Sequence, residues 1–275
     1  MHFLILILFN ISYKIKTIIH FLNQQKHMIR IKNYFTLILL MSSYFLSAQT
    51  ADDVINKYIE NTGGREAWSK VTSMKSTGNV KTQGMDFPTI MLSKQSKQKI
   101  SFTFQGKEIV QPAFDGQVGW QTNFMTMKAE KMEAEDSEML KSEFGDFPDA
   151  FLKYKEKGYT AELQGSETVE GTDCFKIKLT KKPVKVDGVE VENASFYFFD
   201  KESYVPIVVK SEVKKGPAKG KFSETYMSDY QEVNGLILPF TIDSKFEGQV
   251  QASIKVNTIE LNVVIDDKVF AFPEE

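Results

Sequence analysis

The hydrophobic pattern of the chain alternates between two periods. After Thr50, the residues Val54, Ile55, Tyr58 and Ile59 fall on one face of a helical repeat, which predicts a helix. Thr50 is a good N-cap, Asp52 and Asp53 suit the positive end of the first turn, and Gly63-Gly64 ends the helix. A short second turn, Arg65 to Lys70, carries Trp68 toward the first strand as a core anchor. From Thr72 to Asn123 the period becomes two. Runs rich in Thr, Ile, Val and Phe are punctuated by glycines, and Ser101-Phe102-Thr103-Phe104 alternates, so one face is expected to be buried. Lys107 to Phe114 and Gln117 to Asn123 read as a hairpin around Asp115-Gly116.

The pattern then breaks. Lys128 to Phe144 is rich in the helix formers Glu, Lys, Ala and Met, which predicts a helix. Met132, Met139, Leu140 and Phe144 form its narrow apolar stripe, opposite Glu133, Glu135, Asp136 and Glu138. A second helical piece is expected over Asp149 to Lys157, after Pro148 and before Gly158, with Ala150, Phe151 and Tyr154 as its apolar positions. From Tyr159 to Val264 the period is two again. Asp187-Gly188 and Asn234-Gly235 are hairpin turns that accept positive φ. Val250, Ala252, Ile254 and Val256 share a face, and the apolar phase then shifts to Ile259, Leu261 and Val263, which predicts a bulge near Asn257-Thr258. The order is helix, sheet, helical insert, sheet. A meander this long curls, with helices expected on its concave side.

Residues 1 to 48 contrast with the rest. They hold no Asp or Glu and five basic residues: Lys14, Lys16, Lys26, Arg30 and Lys32. Met28-Ile29-Arg30-Ile31-Lys32, the apolar run Tyr34 to Leu46 and the small pair Ser47-Ala48 read as a signal peptide over residues 28–48, cleaved before Gln49. Translation is then expected to start at Met28, with residues 1–27 an upstream extension. The rival reading is a two-part membrane anchor, although neither apolar run is long enough to span a bilayer. No Cys follows the apolar run to accept a lipid. Residues 49–275 are therefore expected to be one soluble domain in the periplasm, without a stable membrane anchor. Cys174 has no partner and is expected to be a buried free thiol.

Composition narrows the chemistry. His2, His20 and His27 all lie in the leader, so residues 49–275 contain no histidine. That excludes Ser-His-Asp and Cys-His catalysis there, and His-based metal sites. The remaining 29 basic residues face 36 acids, a formal charge of −7, and Arg65 is the one arginine among them. Such a chain is a poor nucleic-acid binder. The acidic groups Asp52-Asp53, Glu133 to Glu138 and Asp266-Asp267 read as a helix cap, a solvated helix face and a capped terminal turn. None has calcium-loop spacing, so no metal or other cofactor is expected.

The last part of the chain is the most distinctive. Phe196-Tyr197-Phe198-Phe199-Asp200 leads through Tyr204-Val205-Pro206 to Asp229-Tyr230-Gln231-Glu232-Val233-Asn234-Gly235-Leu236-Ile237-Leu238-Pro239-Phe240. Ile265-Asp266-Asp267-Lys268-Val269-Phe270-Ala271-Phe272-Pro273 closes it. These strands, tight turns and aromatic-Pro stop resemble the C-terminal half of the LolA/LolB-like family of periplasmic lipoprotein carriers. The resemblance extends more loosely over residues 50–275. It implies a mainly β fold with helices (α+β), in which a curled antiparallel sheet forms an incomplete β-barrel covered by helices. It also implies acyl-chain binding in place of catalysis. In carrier members an arginine near the cavity mouth holds the lid shut. Arg65 follows a helix, does not match that position, and reads as a surface residue.

Two groups of residues are candidates for a lipid site. Phe196 and Phe198, on an aromatic strand, and Trp120 are expected to line a cavity. Met125, Met127, Met132, Met139, Leu140 and Phe144, with Phe151 after them, are expected to form an adaptable greasy lid. Ordinary core packing is the rival reading for both groups, and the plainer one. The leading function is a monomeric carrier of lipoprotein acyl chains or a related lipid, working between donor and acceptor proteins of the envelope. The alternatives are a lipid-sensing or protein-interaction module with the same fold, and a carboxylate-based hydrolase. Cell fractionation with N-terminal sequencing tests the leader. The expected product is soluble periplasmic protein beginning near Gln49; membrane-bound protein retaining residues 1–27 contradicts it.

Overall fold

Thirteen antiparallel strands make one sheet whose centre is built from the first and last strands. The structure, a computed structural model, describes residues 49–274; the expected extension and signal peptide lie outside the described residues. Helices α1 (Ala51–Asn61) and α2 (Arg65–Ser69) come first. Then follow β1 (Ser73–Thr82), β2 (Met85–Lys94), β3 (Lys97–Phe104), β4 (Lys107–Phe114), β5 (Gly119–Asn123) and β6 (Lys128–Lys131). Helix α3 (Ala134–Phe144) precedes β7 (Thr160–Val169), β8 (Thr172–Val186), β9 (Val189–Asp200), β10 (Pro206–Glu212), β11 (Phe222–Val233), β12 (Leu236–Phe246) and β13 (Gln249–Leu261). β1 pairs with β13, so β1 to β6 step outward on one side and β13 back to β7 on the other. The edges are β6 and β7. Helix α3 packs against β4 and β5 on one side and β8 on the other. A helix about 10 Å across reaches both only because the sheet curls into an open barrel.

Local chemistry explains the elements. Thr50 and Asp53 form a capping box at α1, as its N-cap position suggested. Val54, Ile55, Tyr58 and Ile59 are buried against Leu236, Leu238, Ile177, Leu179 and Phe199, together with Trp68 and Phe151. Both hairpin dipeptides have positive φ throughout, Asp187 and Gly188 at 53° and 78°, Asn234 and Gly235 at 51° and 83°. The expected bulge is present. Pairing passes from Thr77–Thr258 to Gly78–Val256, leaving Asn257 unmatched and bringing Ile259 and Leu261 onto the core side. Cys174 is buried and free, and burial above all pushes its thiol up to about 11.

Three sequence expectations need correction. Residues 128–131 form β6, not the start of a helix, because the Asn123 side-chain oxygen accepts the N–H groups of Met125 and Thr126 and turns the chain back onto β5. Residues 147–158 form successive turns in place of a second helix. There the Asp149 carboxylate accepts the Phe151 N–H, and Arg65 donates to the Leu152 carbonyl, so side chains satisfy backbone groups that a helix would pair. The acidic face of α3 is not simply solvated: Glu135 and Asp136 are bonded to the rest of the protein. Among the described residues, no helix is long and apolar enough to cross a membrane.

The turn after α1 is a close approach. Gly63 has φ 119°, and a Cβ there would lie 2.3 Å from the Gly235 carbonyl oxygen. Beside it the Ile237 N–H donates to the Thr62 carbonyl at 3.1 Å. Gly63→Ala is expected to destabilise the fold by about 2–3 kcal/mol, from positive-φ strain plus displacement of the hairpin. Urea unfolding measures this, and a loss below about 0.5 kcal/mol contradicts the account.

Candidate functional site

Cross-strand register sorts the side chains of the sheet into two faces. Phe151 packs edge-on to Tyr197 and Phe199, with ring centres 4.8 and 5.5 Å away, so these two residues mark the helix-covered, concave face. From Tyr197 the row runs through Val209, Thr225, Ser244 and Ala252 to Thr82. The next row is Met227, Ile242, Ile254, Val80 and Phe87. Beyond it lie Val256, Gly78, Thr89, Phe102 and Ile109. Phe87 contacts Phe102 and Phe104 at 5.3 and 5.8 Å, and Phe102 contacts Phe124 at 6.5 Å. Val80, Phe87, Phe102, Ile242 and Ile254 remain only half-buried. The concave face therefore carries an apolar floor that the core around α1 does not cover.

The opening is crossed by a strap, residues 132–159. On the β5 side, the Met132 N–H donates to the Gly119 carbonyl at 2.8 Å and the Gly119 N–H to Ser137 Oγ at 3.0 Å. On the β8–β9 side, Glu135 accepts from the Asp187 and Gly188 N–H groups, and Asn193 donates to Ser142 Oγ. Asp146 is buried between Lys157, 2.8 Å away, and Lys181. At α1, the Tyr58 hydroxyl donates to Asp149 at 2.7 Å, and the Tyr154 hydroxyl to Asp52. Arg65 is exposed, but it is no idle surface residue: its guanidinium holds the strap at the Leu152 carbonyl, 2.5 Å away, and reaches Asn56.

Two clefts flank the strap. One, of about 590 Å³, lies beneath α3 and includes Met139, Tyr197 and Val209. The other, of about 330 Å³, lies between residues 143–150 and Ser93 and Gln98. Glu143 and Tyr197 line both, so both open around the same part of the strap. Loss of water is the main cause of every large shift here. It raises the carboxyls of Glu143 and Asp149 above the usual range and pushes the Tyr58 and Tyr197 phenols upward. Glu143 is open to solvent at the cleft mouth, yet the surrounding walls displace most of its water.

The residues expected from the sequence are dispersed. Met139 lines the cleft under α3, and Phe144 lines the other cleft beside Phe114. Met132 and Leu140 pack at Gly119 and hold the strap down. Phe151 belongs to the core around α1. Met125 is 96% exposed at the tip of the β5–β6 turn, while Met127 lies on the convex side near Trp120. Trp120 itself is convex: its indole donates to the Phe270 carbonyl at 2.8 Å, and the C-terminal segment seals it. Phe196 and Phe198 are also convex, not on the concave face. The Lys176 and Lys210 ammonium groups lie 5.4 and 5.3 Å from the Phe198 ring centre, and Val169, Cys174 and Val208 bury it. Sequence reading missed Tyr197, Val80, Phe87 and Ile254. The alternation at Phe102 and Phe104 was the available signal for the apolar floor.

The fold of this sheet is shared with known proteins. No protein-family model and no curated protein matches this chain. Among solved structures, it is similar to a DUF1329 family protein from Desulfovibrio piger. That match has 14% identity and a TM-score of 0.51, and covers 82% of this chain and 98% of the other. A putative outer membrane lipoprotein-sorting protein domain from Vibrio parahaemolyticus matches with 11% identity and a TM-score of 0.50, covering 78% and 97%. A LolA superfamily protein from Nitrosomonas europaea gives 14% identity and a TM-score of 0.49, covering 82% and 98%. The protein shares the fold of the first two of these structures.

Asp149 yields a pH test. Its carboxyl is raised, so the folded state binds that proton more tightly than the unfolded chain. The half-buried, poorly hydrated charge therefore costs stability above the raised value, and the cost disappears as pH falls toward the ordinary carboxylate range. Asp149→Asn removes the charge, and its amide still pairs with Phe151 N–H and the Tyr58 hydroxyl. The variant is expected to melt at or above wild type near pH 8, with its advantage shrinking by about pH 4. Melting curves across that range check it; an Asn variant weakest at the alkaline end contradicts it.

Proposed function

We propose that this protein is an exported carrier that shields the acyl chains of lipoproteins or a related lipid on its concave face during transit to the outer membrane. One observation carries the reading: the concave apolar floor of Val80, Phe87, Phe102, Ile242 and Ile254 is half-buried beside a strap that crosses the barrel mouth. A packed core would cover such side chains; a surface kept for a greasy ligand leaves them reachable. The fold shared with a lipoprotein-sorting domain supports the same reading. So does the absence of histidine from residues 49–275, which favours binding over catalysis. The leader expected over residues 28–48 supplies the compartment, and envelope donor and acceptor proteins supply the two ends of the journey.

Affinity comes from burying methylenes at about 0.8 kcal/mol each, so each added methylene tightens binding about fourfold until the floor is filled. Titration of the mature protein with fatty acids of increasing length measures this. Met139→Glu, which puts a charge into the cleft, is expected to weaken binding at least about tenfold while lowering the melting temperature only a few degrees. Absence of binding at every chain length overturns the carrier reading in favour of a protein-interaction module.

A further inference from the structure

The concave face is divided in its chemistry. β12, β13 and β1 to β4 supply mostly aliphatic and aromatic side chains, whereas the part of β9 to β11 under α3 is rich in hydroxyls. Under α3, Asn193, Ser195 and Tyr197 lie beside Ser211, Ser223 and Thr225, all lining the cleft of about 590 Å³. Ser195 and Ser211 hydrogen-bond to each other at 2.8 Å, and Ser223 donates to the Ser211 carbonyl at 3.2 Å. One hydroxyl proton of the Ser195–Ser211 pair is left to point elsewhere. Tyr197 and Thr225 add two further hydroxyl-bearing side chains to the lining of the cleft. A cleft serving only hydrocarbon leaves such groups without water and without partners, which is costly.

The charges of the cleft narrow its ligand. Three acids, Asp136, Glu143 and Glu212, and three lysines, Lys181, Lys214 and Lys215, line it. Lys181 is committed to Asp146, and Lys215 to Asp136 and Glu135. No net positive field remains to draw in a phosphate or carboxylate. The volume is ample for a polar head group, and the row from Tyr197 through Thr225 and Ser244 adjoins the apolar floor at Ile242 and Ile254.

We propose that the cleft under α3 binds the uncharged, hydroxyl-bearing head of an amphiphile whose chain lies on the adjoining apolar floor. This rests on the lipid-carrier reading and deepens it: the head is held inside the barrel, beneath the strap, and selects among ligands that share one chain.

The test titrates mature protein with a monoacylglycerol, a fatty acid and an alkyl phosphate of equal chain length. The monoacylglycerol is expected to bind at least about tenfold tighter than either anion. Thr225→Val and Tyr197→Phe keep side-chain shape and remove one hydroxyl each. Each is expected to weaken monoacylglycerol binding about fivefold, the size of one hydrogen bond, and to leave fatty-acid affinity unchanged. Melting curves of both variants confirm the fold. Equal affinity for monoacylglycerol and fatty acid, tighter binding of the alkyl phosphate, or equal losses for every ligand overturns the inference while the carrier reading stands. Failure of all three ligands to bind overturns both.

Discussion

The pairing of β1 with β13 is the constraint from which the rest follows. The two strands are far apart in sequence and meet at the centre of the sheet. The edges must then come from the middle of the chain, and they are β6 and β7, consecutive strands. Whatever links them has to cross the mouth of the curled sheet. The strap is therefore a consequence of topology, and its side chains need only fasten it. They do so at three places: Gly119 of β5 on one side, the β8–β9 hairpin and Lys181 on the other, and the N-terminal helices through Tyr58 and Asp52 of α1 and Arg65 of α2.

The same topology leaves a one-sided interior. α1 and the turns around Phe151 fill the part of the barrel lined by Leu236, Leu238, Ile177 and Phe199. Among the described residues, part of the remaining concave surface is left only half-buried, and its two halves differ: hydroxyls lie under α3 and mostly hydrocarbon lies across the central strands. On the convex side, apolar residues are covered differently, Trp120 by the C-terminal segment and Phe198 by lysine side chains and small neighbours. Hydrophobic residues on both faces thus serve different ends, a distinction invisible to any count of apolar content.

Local signals were readable in the sequence. The cap and apolar face of α1, the two hairpin dipeptides and the bulge at Asn257 each depend on residues a few positions apart. The antiparallel meander of the C-terminal strands was legible from their period and turns. The candidate site was less so. Period two says that Phe196 and Phe198 share a face and Tyr197 and Phe199 the other, but not which face meets the helices. That is decided by pairing with Ile177 and Val209 and by Phe151 arriving from the strap. Trp120 was misplaced for a similar reason, since its partner carbonyl lies 150 residues away. The segment after Pro148 looked helical because propensity does not register a guanidinium donated from α2 or a carboxylate bonded to α1.

Central pairing of the terminal strands also sets a timetable. Hairpins β1–β2, β3–β4 and β11–β12 can form as soon as their residues are available, because their contacts are local. The seam between β1 and β13 joins residues as distant as Met74 and Leu261, and such non-local closure is slow. Until it forms, β1 and β13 are both unpaired edges in the middle of the future sheet. A chain emerging N-terminus first holds its half-sheet with β1 exposed until the final strand arrives. Its most aggregation-prone moment is thus the last step of folding, and a chaperone would protect it best by covering β1.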